Sequence, residues 1–285
     1  MGERDPDVKE RLRTMAPTHE PGSLRVVVPA AGRGSRSGMS LPKTLRVVDG
    51  TPILVRILDA VREFDPRPVV VVSPDGRSAI ANALEEAGRD AELVVQAAPR
   101  GMGDAVRQFD QAGGADRADT LVVVWGDMVA VDARLIRQAL LALARDGADL
   151  VFPSHVATPP YTLVVRGEAG GVVRLVERRE LPAGFPETGE SDTGIFVFRK
   201  EPVLSILREA PAALSGRTTG ELGFLAVVGV LAERGGRVAA LPIASALSAA
   251  SFNSPEDLER YQALRRGGPG PVTSAATLAS PDVRR

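Results

Sequence analysis

The sequence has 285 residues, a formal net charge of −1 and no cysteine. This length suits one large α/β domain or two small ones, and the balanced charge gives no overall field that favours nucleic acid or an anionic membrane. Disulfides, thiolate catalysis and cysteine-based metal sites are excluded, and with only two histidines a multi-histidine metal site is not expected. No apolar run reaches the roughly 20 residues of a membrane span, and the charged N-terminus lacks a signal-peptide core, so a cytoplasmic protein is expected.

The pattern of apolar residues predicts alternating strands and helices. Residues 1–22 and 267–285, rich in Gly, Pro, Ser and charge, are expected to be flexible tails around one domain at 23–266. Strands are predicted at 24–28, 69–72, 92–95, 121–124 and 149–152, with amphipathic helices around 53–61, 80–84, 105–109 and 135–143. Later residues predict a hairpin (161–166 and 172–178), a strand (195–198), a helix (221–234), a strand (238–242) and a helix (255–264). This order predicts an α/β fold: a Rossmann-like three-layer sandwich around a mostly parallel mixed sheet.

The loop after the first strand is the most informative segment. It contains Gly32 and Gly34, then the fixed cations Arg36 and Lys43, with a proline just before the lysine. Glycines let backbone N–H groups approach phosphate oxygens, and the cations add charge, so the loop is predicted to wrap a polyphosphate. It is not a P-loop, because no Gly-Lys-Ser/Thr is present, and it is not the dinucleotide fingerprint, because residue 37 is serine. A mobile surface loop is the alternative interpretation.

The whole string resembles the signature loop of the nucleotidyltransferases that join a nucleoside triphosphate to a sugar phosphate. It is most similar to the uridylyltransferase domain of the bacterial N-acetylglucosamine-1-phosphate uridylyltransferases, whose pattern runs Leu-Ala-Ala-Gly-x-Gly-Thr-Arg-Met and ends in Leu-Pro-Lys. The resemblance covers roughly residues 24 to 262 and implies a GT-A-like fold. It implies catalytic roles for Arg36 and Lys43, and contacts to the nucleotide from Ala30, Ala31, Gly32, Gly34 and Ser35.

The same resemblance implies a magnesium site. Trp125-Gly126-Asp127 ends an apolar strand, where the family has Tyr-Gly-Asp and uses the aspartate as a metal ligand. Asn253 matches the family's second protein ligand, and an amide oxygen suits Mg²⁺. Gly126 is implied to contact the nucleotide. The alternative is that Asp127 caps a turn and that Asn253 is a plain helix-cap residue.

A pyrimidine base is implied by the segment from Gln96 to Ala105, which resembles Leu-Gln-x-x-x-x-Gly-Thr-Gly-x-Ala. In the family the glutamine amide and the first glycine hydrogen-bond a pyrimidine edge, and Gln96 and Gly101 occupy these positions. UTP is therefore the favoured nucleotide. Met102 replaces the family's threonine, and the two glycines of the segment could instead belong to a simple loop before a helix.

The acceptor side, at about 154–250, matches the family less well. Glu177 is kept, whereas Asp192 stands where the family has asparagine, and Tyr161 lies in Pro-Pro-Tyr instead of Gly-Tyr-Gly. An aspartate adds negative charge and removes a donor, which favours a hydroxyl or ammonium partner over an acetamido carbonyl. These three residues are the predicted acceptor-binding set. For Glu177 the alternative is a solvated strand residue beside Arg178.

The resemblance therefore implies a Mg²⁺-dependent nucleotidyltransferase of nucleotide-sugar biosynthesis. It would condense an NTP, favouring UTP, with a sugar 1-phosphate or sugar-like phosphate and release pyrophosphate. The weak acceptor match keeps open a CTP-dependent cytidylyltransferase that acts on a non-sugar phosphate or phosphonate. A non-catalytic nucleotide-sugar sensor is a third interpretation, and a nicotinamide dehydrogenase is a distant fourth. No nucleic acid or membrane is expected as a partner, and the oligomeric state is open.

Overall fold

The fold is built on an eight-stranded mixed sheet in the order β10-β7-β11-β6-β1-β4-β5, with β12 also paired to β7. The computed structural model describes residues 24–32, 42–116, 118–180, 185–209, 211–216 and 220–267. The strands are β1 (Leu24–Pro29), β2 (Val47–Val48), β3 (Thr51–Pro52), β4 (Val69–Val72), β5 (Glu92–Val95), β6 (Thr120–Val124), β7 (Leu150–Ala157), β8 (Thr162–Arg166), β9 (Val172–Glu177), β10 (Gly189–Asp192), β11 (Ile195–Arg199) and β12 (Val238–Leu241).

Helices cover both faces of this sheet. They are α1 (Ile53–Val61), α2 (Arg77–Glu86), α3 (Met102–Gln111), α4 (Ala133–Asp146), α5 (Lys200–Glu209), α6 (Ala226–Glu233) and α7 (Pro255–Gly267). Short 3₁₀ turns occur at Lys43–Leu45, Arg178–Glu180 and Pro211–Leu214. In the ranges that the structure describes, no helix combines the length and apolarity needed to cross a lipid bilayer.

Alternate residues of the central strands enter two separate cores. Val26 and Val28 of β1 pack with α1, α2 and α4, whereas Val27 packs with α3, α5 and α6. Successive side chains of a strand point to opposite faces, so a run of buried valines indicates a sheet covered on both sides. Each such buried side chain contributes about 1.5–3 kcal/mol through burial. The predicted three-layer α/β sandwich is therefore confirmed.

The direction of the strands places the loops with the predicted site residues at one edge of the sheet. β1 pairs in parallel with β4 and β6, and β4 pairs in parallel with β5. In such sheets ligands bind beyond the carboxyl ends of the strands. The loops that follow β1, β5 and β6 therefore open at the same edge.

Some predicted elements differ from the structure. The helix predicted at 221–234 was wrong in its first turn, because α6 begins at Ala226. Leu222 is extended there: it pairs with Ser215 in an isolated antiparallel bridge, and its N–H donates to the carbonyl of Arg100 at 2.8 Å. The strand predicted at 149–152 is longer in the structure: β7 continues to Ala157 because β10 pairs with its second half. The sequence pattern did not predict α5.

Candidate active site

Three polar side chains from distant parts of the chain meet at the carboxyl edge of the sheet. The ammonium of Lys43 donates to Asp127 Oδ2 at 2.7 Å and to Asn253 Oδ1 at 3.1 Å. The Lys43 and Asp127 side chains are 21% and 12% exposed, so water screens this ion pair only in part. The structure thus brings together the predicted catalytic lysine and both predicted metal ligands.

Backbone pairing fixes Asn253 beside Asp127. The segment after β6 and the segment before α7 run antiparallel: Met128 bridges to Ser251, and the N–H of Phe252 donates to the Asp127 carbonyl at 2.8 Å. Asp257, in the first turn of α7, accepts from the backbone N–H of Asn253 at 2.9 Å. This short ladder explains why the two predicted metal ligands lie side by side although a long stretch of sequence separates them.

Gly126 allows the β6 end to approach the β1 end. Its N–H donates to the Pro29 carbonyl at 3.2 Å. A Cβ at position 126 would lie 2.5 Å from that same carbonyl oxygen and 3.2 Å from a methyl of Thr44. Only glycine fits without a backbone shift, and the close approach sets Asp127 next to the loop that follows β1. Contact between Gly126 and a nucleotide stays a prediction.

The donor set of Asp127 and Asn253 suits a hard divalent cation. Asp127 Oδ1 is buried and has no hydrogen-bond partner among the described residues. Asp127 Oδ2 and Asn253 Oδ1 already hold one cationic group, the Lys43 ammonium, between them. Mg²⁺ is usually held by one or two protein oxygens and completes its shell with water and substrate phosphates. Within the described ranges, no group of three or more Asp, Glu, His or Cys side chains is arranged to hold a metal ion, and the pair of Asp127 and Asn253 stays the predicted metal site.

The structure describes the first residues of the predicted phosphate loop, Ala30 to Gly32. Ala30 and Ala31 are buried, Gly32 is exposed, and the Ala30 N–H donates to the Val71 carbonyl at 2.7 Å. Gly34, Ser35 and Arg36 lie outside the described residues. A Cβ at Gly32 would be 3.9 Å from Lys43 Cε, so the two ends of the loop meet at Lys43. The phosphate contacts themselves remain predictions.

Gln96 and Gly101, the predicted base-binding pair, contact each other. Gln96 follows β5, is 4% exposed, and donates through Nε2 to the Gly101 carbonyl at 3.1 Å. Gly101 has φ +98°, and a Cβ there would lie 2.6 Å from the Leu222 carbonyl oxygen. The glycine is therefore required by backbone conformation and by packing against Leu222. Its contact with a base stays a prediction.

A cavity of about 1290 Å³ adjoins these groups. Its lining includes predicted residues of all four kinds, catalytic, nucleotide-binding, metal and acceptor: Lys43, Gly101, Asp127, Tyr161, Glu177, Asp192 and Asn253. Gln96 is not among the lining residues. Tyr161 is 57% exposed. The cavity exceeds the ~300–1,000 Å³ of typical small-molecule sites.

Glu177 is held by an arginine that sequence reasoning missed. The Arg179 Nε lies 2.5 Å from Glu177 Oε2, and both side chains line the cavity. The alternative expectation, a solvated residue beside Arg178, differs from the structure because Arg178 begins a 3₁₀ turn, whereas Arg179 turns back onto Glu177. No spacing in the sequence indicates this pair, since 3₁₀ turns carry little pattern.

Asp192 is buried, and both of its carboxylate oxygens accept hydrogen bonds from within the protein. Its Oδ2 accepts from the Thr162 hydroxyl at 2.6 Å and its Oδ1 accepts from the Gly194 N–H at 2.7 Å. Burial raises the pKa of Asp192 to about 6. The residue thus shapes the cavity wall through β10, and any contact with an acceptor stays a prediction. Burial also lowers the pKa of His155, on the same cavity wall.

A family profile described as a MobA-like NTP transferase domain matches residues 26–209 of the chain. Two similar proteins are both described as bifunctional protein GlmU. The one from Leifsonia xyli subsp. xyli is 31% identical over 226 residues, which is 78% of this chain and 45% of that protein. The one from Burkholderia orbicola (strain MC0-3) is 29% identical over 267 residues, which is 92% of this chain and 57% of that protein. The chain spans about half the length of these relatives.

A solved structure shares the fold. It is a Bacillus anthracis protein assigned as a glucose-1-phosphate thymidylyltransferase and crystallised with a sucrose. The two chains superimpose with a TM-score of 0.68 at 18% sequence identity, over 86% of this chain and 96% of that one.

Proposed function

Because the chain belongs to the MobA-like NTP transferase family, within the sugar-phosphate nucleotidyltransferases, we propose that it catalyses nucleotidyl transfer. The reaction condenses a nucleoside triphosphate with a small phosphorylated acceptor and releases pyrophosphate. The observation that carries the proposal is the meeting of Lys43, Asp127 and Asn253 beside a cavity with room for two substrates.

The chemistry requires positioning and charge neutralisation rather than a protein nucleophile. An oxygen of the acceptor phosphate attacks the α-phosphorus, and the bond from that phosphorus to the departing pyrophosphate oxygen breaks. An ionised phosphate monoester is nucleophilic without a general base, which agrees with a chain that has no cysteine. Catalysis then depends on holding the two phosphates in line and on cations near the charge that develops.

Each polar residue of the site has a proposed part in this scheme. Lys43 binds the α-phosphate or the acceptor phosphate, and Arg36 with the amides of 32–35 binds the leaving β- and γ-phosphates. Asp127 and Asn253 would hold Mg²⁺. When bound, that ion neutralises phosphate charge and helps to align the reacting oxygens. Gln96 and the Gly101 N–H would contact the base.

The proposed acceptor is a sugar 1-phosphate or a sugar-like phosphate, bound by the part at about 154–250. Support comes from Tyr161, Glu177 and Asp192, which line the cavity, and from the fold shared with a protein assigned as a glucose-1-phosphate thymidylyltransferase. We propose UTP as the nucleotide and the cytoplasm as the compartment. A CTP-dependent enzyme for a non-sugar phosphate or phosphonate is the second candidate, favoured by Asp192 where the family has asparagine.

A pyrophosphate-release assay tests the proposal. UTP, CTP, dTTP, ATP and GTP are each offered with a panel of sugar 1-phosphates, polyol phosphates and phosphonates, with Mg²⁺ and with EDTA. We expect Mg²⁺-dependent release with one pyrimidine triphosphate and one acceptor class. Tight nucleotide binding without release for any acceptor would instead support the non-catalytic sensor and overturn the proposed activity.

A further inference from the structure

The amide of Gln96 has a fixed orientation. Its Nε2 donates to the Gly101 carbonyl at 3.1 Å and to the carboxylate of Asp104 at 2.8 Å. A carbonyl and a carboxylate can only accept, so the amide nitrogen must face both of them and the amide oxygen must face away. Two acceptor-only neighbours therefore determine which end of the Gln96 side chain is presented to a ligand.

Asp104 is itself buried and anchored. It is 2% exposed, lies in the first turn of α3, and accepts from Arg107 Nη2 at 2.9 Å. A helix N-terminus and an arginine both stabilise a carboxylate. Arg107 and Gln96 thus hold the Asp104 carboxylate from two sides, with one of its oxygens against the Gln96 amide nitrogen.

Two complementary groups are left for a ligand. Within the described ranges, no group donates to Gln96 Oε1, and the N–H of Gly101 donates to no group. Gly101 lines the large cavity. A ligand that binds at Gly101 would meet this backbone donor, with the buried Gln96, hydrogen-bonded to the Gly101 carbonyl, as the neighbouring acceptor.

We propose that Asp104 is a positioning residue that sets base specificity through Gln96. By holding Nε2, Asp104 leaves Oε1 as the amide atom that faces the base, and Oε1 requires a donor. Uracil and thymine present a ring N–H donor next to a carbonyl that the Gly101 N–H can satisfy. Cytosine has a bare ring nitrogen at that position, which would place two acceptors in opposition and leave both unpaired. The inference rests on the proposed function and goes beyond it by assigning the choice of uracil or thymine over cytosine to Asp104.

Asp104→Asn is the decisive variant. The asparagine amide can donate to Gln96, so only the Gly101 carbonyl still favours the original orientation of the Gln96 amide, and a turned amide can present its nitrogen to the base. We expect the ratio of kcat/KM for UTP to that for CTP, or for dTTP to CTP, to fall by at least about tenfold, which corresponds to about 1.4 kcal/mol. Affinities for UTP and CTP measured by calorimetry without acceptor should shift in the same direction. Asp104→Glu, which keeps an acceptor-only carboxylate, should retain the uracil preference.

The matched control is Asp110→Asn, on the same helix. Asp110 pairs with Arg208 at 2.7 Å instead of with Gln96, so its loss removes a carboxylate from α3 without touching the amide. The UTP:CTP ratio should stay at the wild-type value in this variant. Gln96→Met removes the amide altogether and should bring the UTP:CTP ratio close to one. This variant keeps the inference testable if Asp104→Asn does not fold.

The outcomes separate this inference from the proposed function. A wild-type protein that prefers CTP, or an Asp104→Asn variant that loses stability with an unchanged UTP:CTP ratio, overturns the role of Asp104 and leaves nucleotidyl transfer standing. A protein that neither binds nor turns over any nucleoside triphosphate overturns the proposed function, and the inference falls with it.

Discussion

The Lys43 ammonium lies 2.7 Å from Asp127 Oδ2, between the carboxylate and amide oxygens that form the candidate metal site. The Lys43 ammonium thus occupies the position that a bound cation would take between these two oxygens. Since both oxygens point at one position, a divalent ion and the ammonium would compete for it. The Lys43 ammonium would therefore bind either this oxygen pair, as in the structure, or a phosphate of a proposed substrate.

Lys43→Met tests this competition without turnover. Removing the ammonium leaves Asp127 and Asn253 without their cationic partner, so the nucleotide-free variant should bind Mn²⁺ about tenfold more tightly, a change of about 1.4 kcal/mol. Calorimetry or electron paramagnetic resonance of Mn²⁺ measures the affinity. Lys200→Met is the matched control, because Lys200 donates to the Ala115 carbonyl at 3.3 Å and should leave Mn²⁺ affinity at the wild-type value. Equal or weaker Mn²⁺ binding by the Lys43 variant would contradict the competition.

Asp127→Ala should remove most turnover. Loss of one group that neutralises developing charge usually costs about 2.7–4 kcal/mol of barrier, or about 10²–10³ in rate. The thermal midpoint should stay near that of wild type, because the carboxylate's described contact is a partly exposed ion pair with Lys43. Pyrophosphate release and a melting curve together check this prediction. Wild-type turnover in the variant would show that the Asp127 carboxylate has no part in catalysis.

Arg36→Ala is expected to lower turnover by a similar factor. The reason is chemical: a guanidinium pairs with phosphate oxygens through two parallel hydrogen bonds, and the signature loop supplies this one. Steady-state kinetics with varied nucleotide measures the loss, and Arg36→Lys should restore only part of it because an ammonium cannot pair in that bidentate way. An Arg36→Ala enzyme with unchanged kinetics would show that this cation lies away from the phosphates.

Gly126→Ala should destabilise the fold and disturb the site together. The added Cβ would lie 2.5 Å from the Pro29 carbonyl oxygen, so β1 and the β6 end must move apart. Overpacking of this kind costs about 1–3 kcal/mol. Gly171→Ala is the matched control, since no atom lies within 4 Å of the position that its Cβ would take. Urea unfolding of both variants gives the comparison, and equal stabilities would show that the β1 and β6 ends accommodate the methyl group.

Asp192 should make stability depend on pH. Burial raises its pKa from 3.8 to about 6 in the folded protein, so folding favours its protonated form. Its contribution to stability is complete below about pH 4 and is lost as the pH rises through about 6. Asp192→Asn removes this titration, so the stability of the variant relative to wild type should increase between pH 4 and pH 7 by on the order of 2–3 kcal/mol. Urea unfolding at pH 4.5 and pH 7.5 checks the sign; a stability of the variant relative to wild type that falls with rising pH would refute it.

Local pattern predicted most of the sheet, and tertiary contacts account for the differences. The buried valine runs of β1, β4 and β6 were predicted because strands covered on both faces are continuously apolar. The first turn of the predicted helix at 221–234 is extended instead, because the Leu222 backbone bonds to Arg100 and Gly103 across the chain. Such pairing depends on the placement of another loop and leaves no local signal.

The candidate site could be predicted only in part. Lys43 and Asn253 are 210 residues apart in sequence, and the resemblance to a family, rather than any spacing, grouped them with Asp127. The control of Gln96 by Asp104 was missed, although Asp104 stands in the glycine-rich segment that was already singled out. A carboxylate at a helix start resembles a simple dipole or cap residue until its partner is known.

The antiparallel ladder between the β6 end and the segment before α7 has a consequence for biosynthesis. Because Asn253 follows every strand of the sheet in the chain, it leaves the ribosome after all of them. The nascent domain can therefore begin to assemble its sheet before the second residue of the candidate cation site is available. A nascent chain that has not yet exposed Asn253 holds Asp127 without its amide partner, so the two oxygens that face the Lys43 ammonium meet only after the strands that the structure describes have been synthesised.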